Sequence, residues 1–161
     1  LGIVQLAKLD KMNYERNLLA DHLTKKIRTI KGLQHTKYDF VRHAYYVYAF
    51  SYDENMIGIP RDLFCEAMRA EGIPMFGGYV KPLYLNPLYI ERRAFAFKHY
   101  VGNVKYDKGS CPVTESLNEK KLVLTPVCRP TASVNDMDDI YNAIVKVIEN
   151  KVEFSNYNPS K

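Results

Sequence analysis

Apolar residues at Leu1, Val4, Leu6, Leu9, Met12, Leu18, Leu19, Leu23 and Ile27 recur at helical spacing, which predicts one long helix running to about Ile30. No Ser, Thr, Asp or Asn stands before Leu1 to cap its first turn, and Ile3, Val4 and Leu6 sit beside Ala7 and Leu9 on the helical wheel. The helix therefore opens with apolar residues on more than one side, more than a small domain covers by itself. Either a segment upstream of Leu1 buries this face, or a second copy of the chain does.

Lys31-Gly32 stops the helix, and the aromatic and β-branched run from Phe40 to Tyr52 predicts a buried strand. In that strand Tyr45, Val47 and Ala49 face one way and Tyr46, Tyr48 and Phe50 the other. The stretch from Ile59 to Gly72 predicts a helix, with Pro60 near its first position, Gly72 just past its end, and Leu63, Phe64, Ala67 and Met68 turned inward. Ile73 to Phe76 reads as a short strand, and residues 90–110 show no clear period. Pro112 opens a short helix reaching Leu117, Leu122 to Thr125 is a strand ended by Pro126, and Ser133 to Lys151 is a last amphipathic helix. Ser133 is its expected cap, Asp136, Asp138 and Asp139 lie where negative charge is favoured, and Ile140, Ala143, Ile144, Val147 and Ile148 form its buried face. This order of elements predicts an α+β fold, a small sheet covered by helices.

Between the second helix and residue 90 lies Gly77-Gly78-Tyr79-Val80-Lys81-Pro82-Leu83-Tyr84-Leu85-Asn86-Pro87-Leu88-Tyr89. The two glycines permit positive φ or close approach to another group, and each proline fixes its own φ and extends the residue before it. Such a loop has little freedom to lose on binding, and Tyr79, Lys81 and Tyr84 offer flat apolar faces with hydroxyl and ammonium groups. It reads as one wall of a site hung from a strand end. The plainer alternative is a proline-punctuated surface loop whose tyrosines cover the core.

Composition narrows the partners. The 161 residues allow one core, and 47% hydrophobic with 25% charged residues is ordinary for a soluble globular domain. The net charge of +5 and pI of 9.0 come from lysines and arginines scattered among acids, with no basic tract, so no nucleic-acid partner is expected. Three cysteines without CxxC spacing predict free thiols in a reducing, cytoplasmic setting, and Cys111 is expected to be buried and inert. No apolar run reaches the roughly 20 residues that cross a bilayer, and no membrane partner is expected. The four histidines lack HxxxH or HExxH spacing, which disfavours zinc.

Taken in order, "LGIVQLAKLDKMNYERN", "IPRDLFCEAMRAEGIPMFGGYVKPLYLNPLY", "CPVTESL", "LVLTPV" and the Asp-rich last helix resemble the C-terminal part of the DegT/DnrJ/EryC1/StrS sugar aminotransferases. The likeness runs over nearly the whole chain and leans toward the branch acting on keto-inositols, the glutamine:scyllo-inosose aminotransferases. It implies the small domain of a fold-type I transferase dependent on pyridoxal phosphate, with a mainly antiparallel sheet. Residues 1–30 then form the interdomain helix, 31–152 the small domain and 153–161 a flexible tail. The family's cofactor lysine and phosphate ligands lie in a large domain upstream of anything matching Leu1, so the chain alone is expected to be inactive and to need that domain as a partner. The resemblance also implies a homodimer and a small sugar or cyclitol substrate that receives its amino group from glutamine or glutamate.

By the same resemblance, Tyr79, Lys81 and Tyr84 reach hydroxyls of a cyclic substrate. Glu115 matches a Pro-x-x-Glu element near the active-site entrance, although Ser116 stands where the family often has a basic residue. Glu115 could equally stabilise the start of its short helix. A second class stays open: a non-catalytic protein-interaction module that retains the small-domain fold and uses the tyrosine-rich loop and apolar first helix for contact.

Overall fold

In a computed structural model, which describes residues 1–38, 40–93, 95–97 and 99–156, four strands form one antiparallel sheet. They are β1 (Leu33–Gln34), β2 (Tyr48–Tyr52), β3 (Phe76–Gly77) and β4 (Leu122–Thr125), in the order β1-β2-β4-β3. Phe50 of β2 stands opposite Val123 of β4, and Gly77 of β3 stands opposite the same valine on its other side. The helices are α1 (Gly2–Leu6), α2 (Leu9–Ile27), α3 (Glu54–Ile57), α4 (Arg61–Ala70), α5 (Pro87–Ile90), α6 (Pro112–Ser116) and α7 (Val134–Glu149). The expected α+β architecture, a small antiparallel sheet with helices on it, is what forms.

Alternation along β2 turns Tyr48, Phe50 and Tyr52 into the core, where they meet Leu19, Leu23 and Ile27 of α2, Phe64 and Met68 of α4, and Met137 and Ile144 of α7. Burying such side chains contributes about 1.5–3 kcal/mol each. The phenol of Tyr48 is not left unpaired, since its oxygen lies 2.7 Å from Thr24 Oγ1 on α2. Among the described residues no helix is long and apolar enough to cross a membrane.

Several expectations need correction. The strand expected from Phe40 begins only at Tyr48 because Tyr45 has φ of 43°, which extended backbone excludes. Its amide donates to His43 Nδ1 at 2.9 Å, while Arg16 Nη1 and Asn17 Nδ2 on α2 donate to the carbonyls of Ala44 and His43. That local bend puts Tyr45, 2% exposed, inside together with Tyr48 and throws Tyr46 outward, so the expected faces do not hold. The first helix is not continuous: Lys8 N–H bonds Gln5 O three residues back, a tight turn between α1 and α2. Ile73 to Phe76 is extended only at its end, as Phe76–Gly77. Strand β1 and helix α3, the latter capped by Asp53 Oδ1 on the amides of Asn55 and Met56, were not expected. At the end of the chain, Lys151–Asn156 forms a 3-10 helix whose Phe154 packs on the core, and the rest of the expected flexible tail, 157–161, lies outside the described residues.

Helix α1 buries nothing, and Leu1, Ile3, Val4 and Leu6 each keep 60% or more of their surface exposed. Neither α1 nor α2 has a side-chain cap at its start.

Helix α7 begins with a capping box in which Ser133 Oγ accepts from Asp136 N–H and Asp136 Oδ2 accepts from Ser133 N–H. One turn on, Asp138 Oδ1 meets His22 Nε2 at 2.5 Å and Lys26 Nζ at 2.9 Å, joining α7 to α2. The Ser133 amide, then its hydroxyl, holds the Asp136 carboxyl below its ordinary range, and His22 first and Lys26 second do the same for Asp138. Both groups release protons more readily folded than unfolded. Their stabilisation is therefore present above the ordinary carboxylate range of about pH 4 and is lost as pH falls through the depressed folded values. A thermal-unfolding midpoint followed from pH 6 to pH 2.5 should fall steeply at the acid end, and less steeply in Asp138→Asn. An equal acid slope in the two proteins would remove the Asp138 contact from the account.

Candidate functional site

The candidate loop leaves β3 under tight constraint. Arg61, the first residue of α4 and only 6% exposed, directs Nε to Asp62 Oδ1 at 2.8 Å and Nη1 to the Asn118 carbonyl at 2.7 Å. A Cβ on Gly77 would lie 2.5 Å from Arg61 Nε and from Asp62 Oδ1, so a larger residue here would have to push this buried guanidinium and the carboxylate aside. Gly78 has φ of 68°, and its Cβ would lie 2.4 Å from the Asn118 carbonyl oxygen. One glycine serves close approach and the other both close approach and positive φ. Gly78 N–H donates to Leu122 O at 2.7 Å, and Asn118 Nδ2 donates to Val80 O at 3.2 Å. The loop is thus pinned to the π-helical turn Leu117–Lys121 that precedes β4.

Beyond Pro82 the chain makes a 3-10 turn at Leu83–Leu85, and Asn86 Oδ1 then caps α5 by accepting from Leu88 N–H at 3.0 Å. This turn presents Tyr84 to Glu115, 31 residues away in the chain, and the Tyr84 hydroxyl donates to Glu115 Oε1. The same carboxylate oxygen accepts from Gly109 N–H at 2.7 Å and Cys111 N–H at 3.4 Å. Glu115 is 8% exposed. The Tyr84 hydrogen bond first, opposed by burial and helped by the two amides, holds its carboxyl below the ordinary value. Burial and the neighbouring carboxylate push the Tyr84 phenol up to about 12.

Of the four residues singled out, then, Tyr84 and Glu115 come together and Tyr79 and Lys81 stand apart from them. Tyr79, 62% exposed, borders an apolar cleft of about 300 Å³ with Val47, Phe76, Val80 and Pro126. Lys81 is exposed and makes no ion pair among the described residues. The bond from the Cys111 amide shows that Glu115 also steadies the start of α6, the plainer role considered for it. Arg61 and Asn118 escaped sequence reasoning. The available signal was Arg61 itself, since a cation in the first turn of a helix opposes the macrodipole and needs another reason to be there.

Cys65 and Cys128 are buried, and burial pushes their thiols up to about 11 and about 12. Cys111 is exposed, against expectation: it occupies the cap position before Pro112, where the backbone of α6 turns it outward. Among the described residues no group of three or more His, Cys, Asp and Glu could hold a metal ion.

Comparison with known proteins shows the family to which the chain belongs. Residues 1–145 match the model of the DegT/DnrJ/EryC1/StrS aminotransferase family. The spore coat polysaccharide biosynthesis protein SpsC of Bacillus subtilis is 25% identical over 150 residues, 92% of this chain and 35% of that protein. A DegT DnrJ EryC1 StrS aminotransferase from Brucella abortus superposes with a TM-score of 0.64 at 27% identity, covering 89% of this chain and 33% of that one. The aminotransferase from Psychrobacter cryohalolentis has a TM-score of 0.71 at 20% identity, over 94% of this chain and 38% of that one, a likeness of fold. The chain thus spans about a third of the length of these relatives. Every lysine among the described residues is exposed or half-buried. None offers the enclosed amine that tethers pyridoxal phosphate, so the described residues do not fit that cofactor by themselves.

Proposed function

Since the chain belongs to the DegT/DnrJ/EryC1/StrS aminotransferase family, we propose that it is the C-terminal small domain of an aminotransferase dependent on pyridoxal phosphate. The match of residues 1–145 to the family carries this reading. The cofactor and the lysine that holds it belong to a large domain outside these residues, against which the exposed face of α1 lies. The complete enzyme is a cytoplasmic homodimer that moves an amino group from glutamine or glutamate to a keto sugar or keto-cyclitol, the scyllo-inosose branch being the favoured relation.

In this role the chain contributes position rather than bond-making. The clasp between Tyr84 and Glu115 supports it, because a phenol that donates its proton to a buried carboxylate turns an accepting lone pair toward a substrate hydroxyl. Tyr79 and Lys81, both exposed on the same loop, supply a flat face, a hydroxyl and an ammonium to the ring. Anchoring at Gly77 and Gly78 keeps these groups in place before substrate arrives, which reduces the entropy lost on binding.

Tyr84→Phe in the complete enzyme tests the assignment. The KM for the amino acceptor should rise about tenfold, the size of one lost hydrogen bond in a sheltered site, with a smaller change in cofactor affinity. Unchanged kinetics would take Tyr84 out of the site. The bare face of α1 favours a second reading, a non-catalytic interaction module, and that reading predicts no turnover for Tyr84→Phe to alter.

A further inference from the structure

At the far end of β4 from the Tyr84–Glu115 clasp, two arginines from distant parts of the chain border one cleft of about 420 Å³. Arg16 comes from α2, and Arg129 from the turn after β4. Each guanidinium is fixed by one hydrogen bond to a backbone carbonyl: Arg16 Nη1 to Ala44 at 3.2 Å and Arg129 Nε to Pro126 at 2.7 Å. Neither makes an ion pair among the described residues. Arg129 also borders the groove along α7 that Asp136 and Asp139 line, yet it pairs with neither. In addition Arg16 Nε is buried and has no hydrogen-bond partner. That nitrogen is closed to solvent, so what Arg16 offers a ligand in the cleft is its outer Nη groups.

Two cations facing one cleft without a carboxylate repel each other, and holding both in place favours an anion between them. The planar, rigid fork of the guanidinium suits oxyanions, which it binds through paired N–H groups. Around the pair stand the exposed phenol of Tyr46 and the hydroxyl of Thr131, with Pro126 and Pro130 as an apolar wall. The volume suits a small molecule rather than a polymer. Val47 and Pro126 border both this cleft and the apolar cleft beside Tyr79, so the two are neighbours.

We propose that Arg16 and Arg129 form an oxyanion-binding site for a small molecule carrying a carboxylate or a phosphate, whose uncharged part lies along the Pro126 wall. The site stands independently of the aminotransferase reading, and its test reads binding rather than turnover. Titration calorimetry of the 161-residue chain with inorganic phosphate and, separately, with succinate, at constant ionic strength, should show saturable binding of at least one. Preference for phosphate or for succinate tells which group the natural ligand carries. Arg129→Gln should weaken that binding about tenfold or more, the effect of losing a charge-assisted contact, and should leave folding intact because the side chain is exposed. Lys121→Gln, a cation outside this cleft, should leave the binding unchanged. Absence of saturable binding by both anions, or equal binding by wild type and Arg129→Gln, would overturn the proposal.

Discussion

Gly78→Ala should destabilise the chain by about 3 kcal/mol or more, because two costs fall on one atom. The left-handed backbone at φ of 68° charges an alanine about 1–2 kcal/mol by itself. The new Cβ would also stand 2.4 Å from the Asn118 carbonyl oxygen, a backbone atom that cannot swing aside as a side chain would. That oxygen accepts from Arg61 Nη1, and the Gly78 amide donates to Leu122 O, so any shift that relieves the clash breaks one anchor or the other. Gly72 separates the two costs. It has φ of 84° with open space around its Cβ position, so Gly72→Ala should lose only the conformational part. Urea unfolding of the two variants checks this, and equal losses would mean that the loop start is not locked as described.

Arg61→Ala should cost about 2–4 kcal/mol through a different route. The ion pair with Asp62 contributes little of this, since Asp62 is exposed and exposed pairs are worth under about 1 kcal/mol. The larger part is the Asn118 carbonyl, which loses a charged donor in a sheltered position, together with the space left against Gly77. Arg61→Lys should recover little. A single ammonium cannot reproduce the separate contacts of Nε to Asp62 and Nη1 to Asn118. Hydrogen exchange at the Gly78 amide should quicken in both variants, and full protection in Arg61→Lys would assign the anchoring to charge alone.

These anchors mark the limit of what the chain discloses before it is folded. Helices α4 and α7 and strand β4 were legible because their apolar periods are strong and their ends are punctuated by Pro60, Gly72, Pro126 and Ser133. Strand β1 has two residues and acquires meaning only by pairing with Ser51 and Tyr52, so no local pattern announces it. The aromatic run before β2 misled for the opposite reason. Its composition favours strand, but tertiary bonds from Arg16 and Asn17 bend the backbone at Tyr45. The loop from Gly77 was legible as an aromatic element punctuated by glycine and proline, which nominated Tyr84, whereas Glu115 was nominated by the family resemblance. That they meet each other is a tertiary fact, as is the use of Gly77 and Gly78 to admit Arg61 and Asn118.

The proposal at the centre of this account is that these residues form part of an enzyme whose cofactor is held by a large domain outside them. Isolation of the intact polypeptide from its native source and measurement of its visible absorbance tests this most directly. Our account predicts a bound pyridoxal phosphate chromophore that glutamine or glutamate bleaches and a keto sugar or keto-cyclitol restores. A native polypeptide that binds no pyridoxal phosphate, or whose chromophore is indifferent to amino donors, would contradict it.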